Sequence, residues 1–347
     1  MNELSLHRES PDAGNAHRVV VLEEIRQLLK QRQGIATTQR HEYFQPDLTS
    51  SDAYEASLLK YRARLVDLLG WPLKGEPVAG IPHCREEFVA EDSLGRISRM
   101  WIEALPGVRL YGLFFRPHGD GPFPFVIVQH GGQGTPELAS DFFGSCNYND
   151  MVRRVLCRGY AVFAPQLMLW NTENYGPDHE WLAVDKGFKQ VGGSMAAVQI
   201  FELKRALDYF SSREDIDAER MGMVGLSYGG FYTLFTAALD TRIKVAVSSC
   251  FFNDRTIYPY DDWVWFDAVN HFTDPEVASM VCPRPLFIEV GQQDALFDVR
   301  HARPLVHAVA SRYSDLRLAD NFGYEEHPGT HEFNPGDGGI EFLCKHL

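Results

Sequence analysis

The stretch Gly225-Leu226-Ser227-Tyr228-Gly229 puts a serine between two glycines at the spacing a hydroxyl nucleophile requires. An apolar run, 221–225, leads directly into it, and a helix-forming run, FYTLFTAAL, begins just after Gly230. This context predicts a sharp turn from a buried strand into a helix. Side chains at 225 and 229 would collide with neighbouring backbone there, and the Ser227 hydroxyl would emerge at the strand's end. The spacing alone is weak evidence in a chain with 29 glycines. Its flanking elements raise it above the competing reading, a serine that only shapes a tight turn.

A serine hydroxyl attacks a carbonyl only when a base takes its proton, and the imidazole that does so needs a carboxylate to fix its tautomer. In this arrangement acid and base follow the serine in sequence, each after a later strand. The strand read at 285–290 opens into Gly291-Gln292-Gln293-Asp294, which makes Asp294 the acid candidate. Asp254, after the preceding strand, and Asp298, at a helix start where an acidic residue caps well, are its rivals. The last strand is read at 316–321, and the loop after it carries two histidines. His331 is favoured as the base over His327, which stands before a proline among carboxylates. A metal centre on His327 and His331 lacks a third ligand at defined spacing, so no metal is expected.

The developing oxyanion needs backbone donors. The strand read at 125–129 ends in His130-Gly131-Gly132-Gln133-Gly134, a glycine-rich turn able to aim N–H groups at a carbonyl oxygen. Gly132 is the expected donor, with Gln133 as the fallback, and the Tyr228 N–H supplies the second. His130 is read as a brace for this turn. Neither phosphate-binding glycine pattern is present.

These residues need a scaffold. Residues 1–16 are polar and expected to be loose. Apolar residues recur at helical spacing from 17 to 33, with Gly34 as a stop, and again over 51–69, where Gly70 and Pro72 end the run. Residues 1–82 thus read as a helical extension packed on the rest of the chain, and 83–347 as the catalytic domain. Short β-branched and aromatic runs at 86–90, 97–103 and 109–116 predict an antiparallel meander. Continuously apolar runs at 125–129, 160–165, 221–225, 245–249 and 285–290 predict strands buried on both faces of a parallel sheet. Helix candidates at 149–158, 193–211, 230–238 and 299–311 alternate with them, the pattern of an open α/β sheet. The segments 166–192, with Trp170, Tyr175 and Trp181, and 251–280, with Tyr258, Tyr260, Trp263, Trp265 and Phe266, should rise over its carboxyl edge. Their aromatics either stack on substrate or pack the lid.

Composition narrows the partners. With 33 basic against 47 acidic residues the net charge is −14, which repels nucleic acid and anionic lipid. No apolar run reaches a membrane span, and the N-terminus has no leader pattern, so a cytoplasmic protein is expected. The six cysteines have no disulfide or zinc spacing. A homo-oligomer is compatible with all of this.

Taken in order, HGGQG, GLSYGG, GQQD and GTHEF resemble the α/β-hydrolase superfamily, and more narrowly its bacterial dienelactone-hydrolase-like and acetyl-xylan-esterase-like branch. The resemblance covers residues 83–347 and is most specific over 283–294, PRPLFIEVGQQD; the arm segment 65–72 also looks like that branch's helical extension. It implies the α/β-hydrolase fold, a Ser227–Asp294–His331 triad, no cofactor, and hydrolysis of small carboxylic esters, acylated carbohydrates among them. Two departures matter. Dienelactone hydrolases proper carry cysteine where this chain has Ser227, and the Arg-Gly-Gln motif of a neighbouring deacetylase family is replaced here by Gln166-Leu-Met-Leu-Trp170. An amidase, peptidase or C–C hydrolase on the same triad is the alternative enzyme, and a non-catalytic binding module the alternative outside catalysis.

Overall fold

The structure, a computed structural model, describes residues 6–75 and 80–347. The first five residues of the polar stretch 1–16 therefore lie outside the described residues. Two helices come first, α1 (Asn15–Tyr43) and α2 (Ser51–Leu69), followed by strands β1 (Cys84–Glu91), β2 (Gly95–Leu105), β3 (Val108–Pro117) and β4 (Phe123–Gln129). Then come α3 (Pro136–Ala139), α4 (Met151–Leu156), β5 (Ala161–Pro165), α5 (Trp181–Gln190), α6 (Met195–Phe210), β6 (Ile216–Leu226) and α7 (Tyr228–Leu239). The chain closes with β7 (Ile243–Ser249), α8 (Asp274–Ser279), β8 (Leu286–Gly291), α9 (Val299–Asp315), β9 (Phe322–His327) and α10 (Gly338–His346).

The strands form one sheet in the order β1-β2-β3-β5-β4-β6-β7-β8-β9. The first three make the expected antiparallel meander, β3 meets β5 antiparallel, and β5, β4 and β6 to β9 run parallel. This is the α/β-hydrolase fold. Side chains alternate across it, as a period of two demands. Phe125, Ile127, Met223, Leu286 and Ile288 face a core shared with α2, α6, α7, α8 and α9, whereas Val126, Val128, Val224 and Val247 face the core under α4 and α10.

Ser50 caps α2 by accepting the Ala53 N–H, and Gly70 ends it at φ 84°, as its sequence suggested. Its stripe Tyr54, Leu58, Tyr61, Leu65 and Leu69 is buried in the first core. Polar contacts fasten it further. The Arg62 Nε and Nη2 donate to the carbonyls of Ala238 (2.7 Å) and Met280 (2.9 Å), and the Tyr54 hydroxyl donates to that of Ser279 (2.9 Å).

Three expectations are corrected. α1 does not stop at Gly34 but runs to Tyr43, since one glycine weakens a helix without ending it; its apolar residues Val20, Val21, Ile25, Leu28 and Leu29 remain exposed. The final strand is 322–327, not 316–321, because α9 continues through Asp315. β9 lies at the sheet edge, half exposed, so its sequence Phe-Gly-Tyr-Glu-Glu-His lacks a buried strand's apolar run. The segment 166–192 contains a helix, α5, that its polar composition hid.

Candidate active site

All the singled-out loops leave the carboxyl ends of parallel strands, where open α/β sheets bind ligands. Ser227 lies between β6 and α7 at φ 58°, ψ −118°, a region L-residues enter only when the surroundings force them. Its own N–H is held by the Ser249 carbonyl of β7 at 2.8 Å. The flanking glycines are required sterically. A Cβ on Gly225 would stand 2.2 Å from the Gly229 carbonyl oxygen, and one on Gly229 would stand 2.1 Å from that of Gln129.

The turn after β4 closes on the same point, for a Cβ on Gly131 would come within 3.1 Å of the Ser227 Cβ. The Gly131 N–H is taken by the Tyr148 hydroxyl at 3.1 Å and the Gln133 N–H by the Leu169 carbonyl at 2.5 Å. That leaves the Gly132 N–H without a partner among the described residues, and with it the fallback Gln133 drops out. The Tyr228 N–H belongs to the first turn of α7, where backbone donors lack an intrahelical acceptor.

His130 braces this turn. The Leu167 N–H donates to its Nε2 at 3.0 Å, so Nδ1 carries the proton and donates to the Gly131 carbonyl at 2.7 Å. Burial lowers its pKa to about 4, so the ring stays neutral as a link between the loops after β4 and β5.

After β8, Asp294 turns back into the site. Its Oδ1 accepts the N–H groups of Leu296 and Phe297, and its Oδ2 pairs with His331 Nδ1 at 2.8 Å. Acid and base loops are stitched together, because the Gln292 and Gln293 N–H groups donate to the carbonyls of His327 and Gly329. The rivals are otherwise engaged. Asp254 accepts from the backbone and hydroxyl of Thr256, and Asp298 caps α9 by accepting the Arg300 N–H. His327 ends β9, almost wholly buried, and accepts the Gly329 N–H on Nδ1. Burial is the main force lowering its pKa.

Sequence reading passed over four residues here. Tyr148 holds the glycine turn after β4, and Glu289 accepts the Asn334 N–H at 3.2 Å, tethering the segment after His331. Asp262 accepts from both the Tyr228 hydroxyl and the Trp181 indole. Cys250 offers a thiol that, with groups of Asp294 and His331, falls inside a 4.8 Å circle. Burial pushes that thiol up to about 12, so it stays protonated and is no rival nucleophile at neutral pH. None of the four sits in a recognisable local motif; each acquires its place from partners remote in sequence.

The two lid segments border a cleft of about 720 Å³ that reaches Tyr228, the residue after Ser227. Gly132, Gln133 and Tyr228 form its floor, Trp170 and Glu173 one wall, and Tyr260 and Asp261 the other. Trp263 is buried and packs the lid, whereas Trp170, Tyr260 and the mostly buried Trp181 line the cleft. Among the described residues no helix is long and apolar enough to cross a membrane.

Known proteins resemble this chain in sequence and in fold. YtaP of Bacillus subtilis (strain 168), named only as a hydrolase, is 29% identical over 220 residues, 58% of this chain and 70% of its own length. Human dipeptidyl peptidase 8 is 28% identical over 171 residues, and the chain spans only 17% of that protein. A glucuronoyl esterase from Solibacter usitatus superposes with a TM-score of 0.62 at 14% identity, covering 86% of this chain and 94% of its own. An acetyl xylan esterase from Paenibacillus sp. R4 gives 0.56 at 19% identity, covering 89% and 99%. Residues 112–325 match the model of the dienelactone hydrolase family, a span that takes in Ser227 and Asp294 and stops six residues before His331. By that match, which extends over more than half of its length, the chain belongs to the dienelactone hydrolase family.

Proposed function

We propose that this protein is a serine hydrolase that cleaves carboxylic esters, with Ser227 as nucleophile, His331 as base and Asp294 as the carboxylate that orients it. The observation that carries the reading is the 2.8 Å contact between His331 Nδ1 and Asp294 Oδ2, in a chain that also holds Ser227 at positive φ between β6 and α7. That contact leaves Nε2 of His331 as the basic nitrogen. It takes the Ser227 proton as Oγ adds to the ester carbonyl. The N–H groups of Gly132 and Tyr228 receive the negative charge that develops on the carbonyl oxygen. The tetrahedral adduct collapses to an acyl-serine, and His331 returns the proton to the departing alkoxide, which leaves as an alcohol. Water, deprotonated by the same nitrogen, then releases the carboxylic acid and restores Ser227. Every proton is accounted for by one imidazole, and the chemistry calls for neither a metal nor a cofactor.

The cleft supports a small, uncharged ester. Its rim carries the carboxylates of Glu173 and Asp261, which repel a substrate bearing a further carboxylate. Trp170 and Tyr260 offer flat apolar faces of the kind that stack on sugar rings, which fits an acylated carbohydrate. The reading further holds that the protein works in the cytoplasm on small esters and binds neither nucleic acid nor membrane. A panel of p-nitrophenyl esters, acetylated sugars and peptide amides tests the reaction class. Esters should turn over far faster than amides. A fluorophosphonate should label wild type and leave Ser227→Ala unlabelled, and labelling of that variant would overturn the assignment.

A further inference from the structure

Trp170 also forms part of the wall of a second cavity, of about 350 Å³, bounded by β3, α5 and α6. That volume lies at the lower end of the range for small-molecule sites. Its lining is mainly apolar, with Trp71 and Phe188 stacked at 5.8 Å between ring centroids, and Leu110 and Met168 close by.

Tyr111, Gln166 and the exposed Arg109 also border the cavity, and two buried polar side chains of α6 interrupt its apolar surface. Gln199 and Glu202, one turn apart on α6, both face the cavity and are 3% and 8% exposed. The Gln199 Oε1 has no hydrogen-bond partner among the described residues. Within the same set, the Glu202 carboxyl has neither a hydrogen bond nor a cation acting on it, and burial alone pushes its pKa up to about 8. Buried polar groups are normally satisfied, so a carboxyl facing the cavity and a buried amide oxygen one turn away on the same helix lack a donor. The aromatic walls favour a cation in the same place, since ring faces carry negative potential.

We propose that this cavity binds a small organic amine in its protonated form, the ammonium group donating to Glu202 and the Gln199 oxygen and the apolar body lying among Trp71, Trp170 and Phe188. A neutral alcohol would satisfy one acceptor and leave the ion pair unmade, and a carboxylate would be repelled. Binding draws off the proton that burial favours on the Glu202 carboxyl, which ionises to meet the ammonium.

Titration calorimetry of the full chain at pH 7 with phenethylamine, 2-phenylethanol and 3-phenylpropionate tests this. The amine should bind about tenfold or more tightly than the alcohol, and the carboxylate should not bind. Repeated in buffers of different ionisation enthalpy, the amine titration should report release of close to one proton per molecule bound. Glu202→Gln should weaken the amine about tenfold or more and abolish the proton release. An amine held instead by Glu173 and Asp261 in the ester cleft would bind that variant unchanged, which overturns the proposal. Equal affinity for amine and alcohol, or no amine binding, does so too. Should Glu202→Gln not be recovered folded, Gln199→Leu asks the same question, and unchanged amine affinity there is equally fatal. Neither the measurement nor its outcome depends on Ser227 being a nucleophile.

Discussion

The Tyr228 hydroxyl donates to Asp262 Oδ1 at 3.0 Å, while the other oxygen of the same carboxylate accepts the Trp181 indole N–H at 2.7 Å. Tyr228, whose backbone is the proposed oxyanion donor, is thereby tied to both lid segments. Asp262→Asn keeps one acceptor and loses the other. It is expected to lower kcat/KM for an acyl p-nitrophenyl ester about tenfold, and the loss should fall on kcat if Tyr228 is being positioned. A change confined to KM would reduce Asp262 to a lid fastening.

Removing the nucleophile or the base should be far more damaging. Ser227→Ala and His331→Ala are each expected to cost about 10⁴- to 10⁶-fold in kcat, with the remainder supplied by the oxyanion donors. Asp294→Asn, which disturbs the tautomer of His331, should cost about 10³- to 10⁴-fold. Asp254→Asn should stay near wild type, because that carboxylate serves only the Thr256 turn. Steady-state kinetics on one ester decides among them, and the reverse ranking of the two aspartates would remove Asp294 from the triad.

Two glycine substitutions should move stability in opposite directions. Gly229→Ala forces a methyl to within 2.1 Å of a carbonyl oxygen, and should cost about 3 kcal/mol or more, or prevent folding. Gly187→Ala, in the exposed interior of α5 with nothing within 4 Å of the new Cβ, should gain about 1 kcal/mol. Denaturant titration of both variants reads the difference.

Stability should fall as the solution is made more alkaline. Burial raises the Glu289 carboxyl to about 7 and Glu202 to about 8 in the folded protein, against 4.5 for the ordinary side chain. A folded-state pKa above the unfolded one means that the native protein holds the proton more tightly. The associated stability is complete below about 4.5 and is lost as pH rises through 7 and 8. Glu289→Gln should flatten the decline in Tm between about pH 4.5 and 7.5, recovering at most about 3 kcal/mol once the pH has passed 7. An unchanged slope would mean that Glu289 is not protonated in the native state.

The parts of the fold legible in sequence are those in which one residue's type answers to its immediate neighbours. Strands β4 to β8 announced themselves as apolar runs because both faces of the sheet are covered there. β9 did not, since a partly exposed edge strand needs no such run. The turn around Ser227 was readable because its glycines answer to a local crowding. Asp294 was preferred over Asp254 and Asp298 from its place after a strong strand, and of the three it is the one that meets an imidazole. Asp262 and Glu202 were illegible in the sequence. The first matters through Tyr228, 34 residues away, and the second through an absence of partners that no local pattern reveals.

The anchoring of α2 bears on how the molecule comes apart. A composition boundary near residue 82 invites a truncated gene starting at the first strand. Such a fragment would expose the groove that Tyr54, Leu58, Tyr61, Leu65 and Leu69 now fill, and would strand the carbonyls of Ala238, Ser279 and Met280. The first of those carbonyls belongs to α7, the helix that begins directly after Ser227, and the other two end α8. Melting of the second helix and loss of turnover should therefore coincide in one calorimetric transition, and proteolytic nicking between helix and sheet should leave the two pieces associated until denaturant separates them.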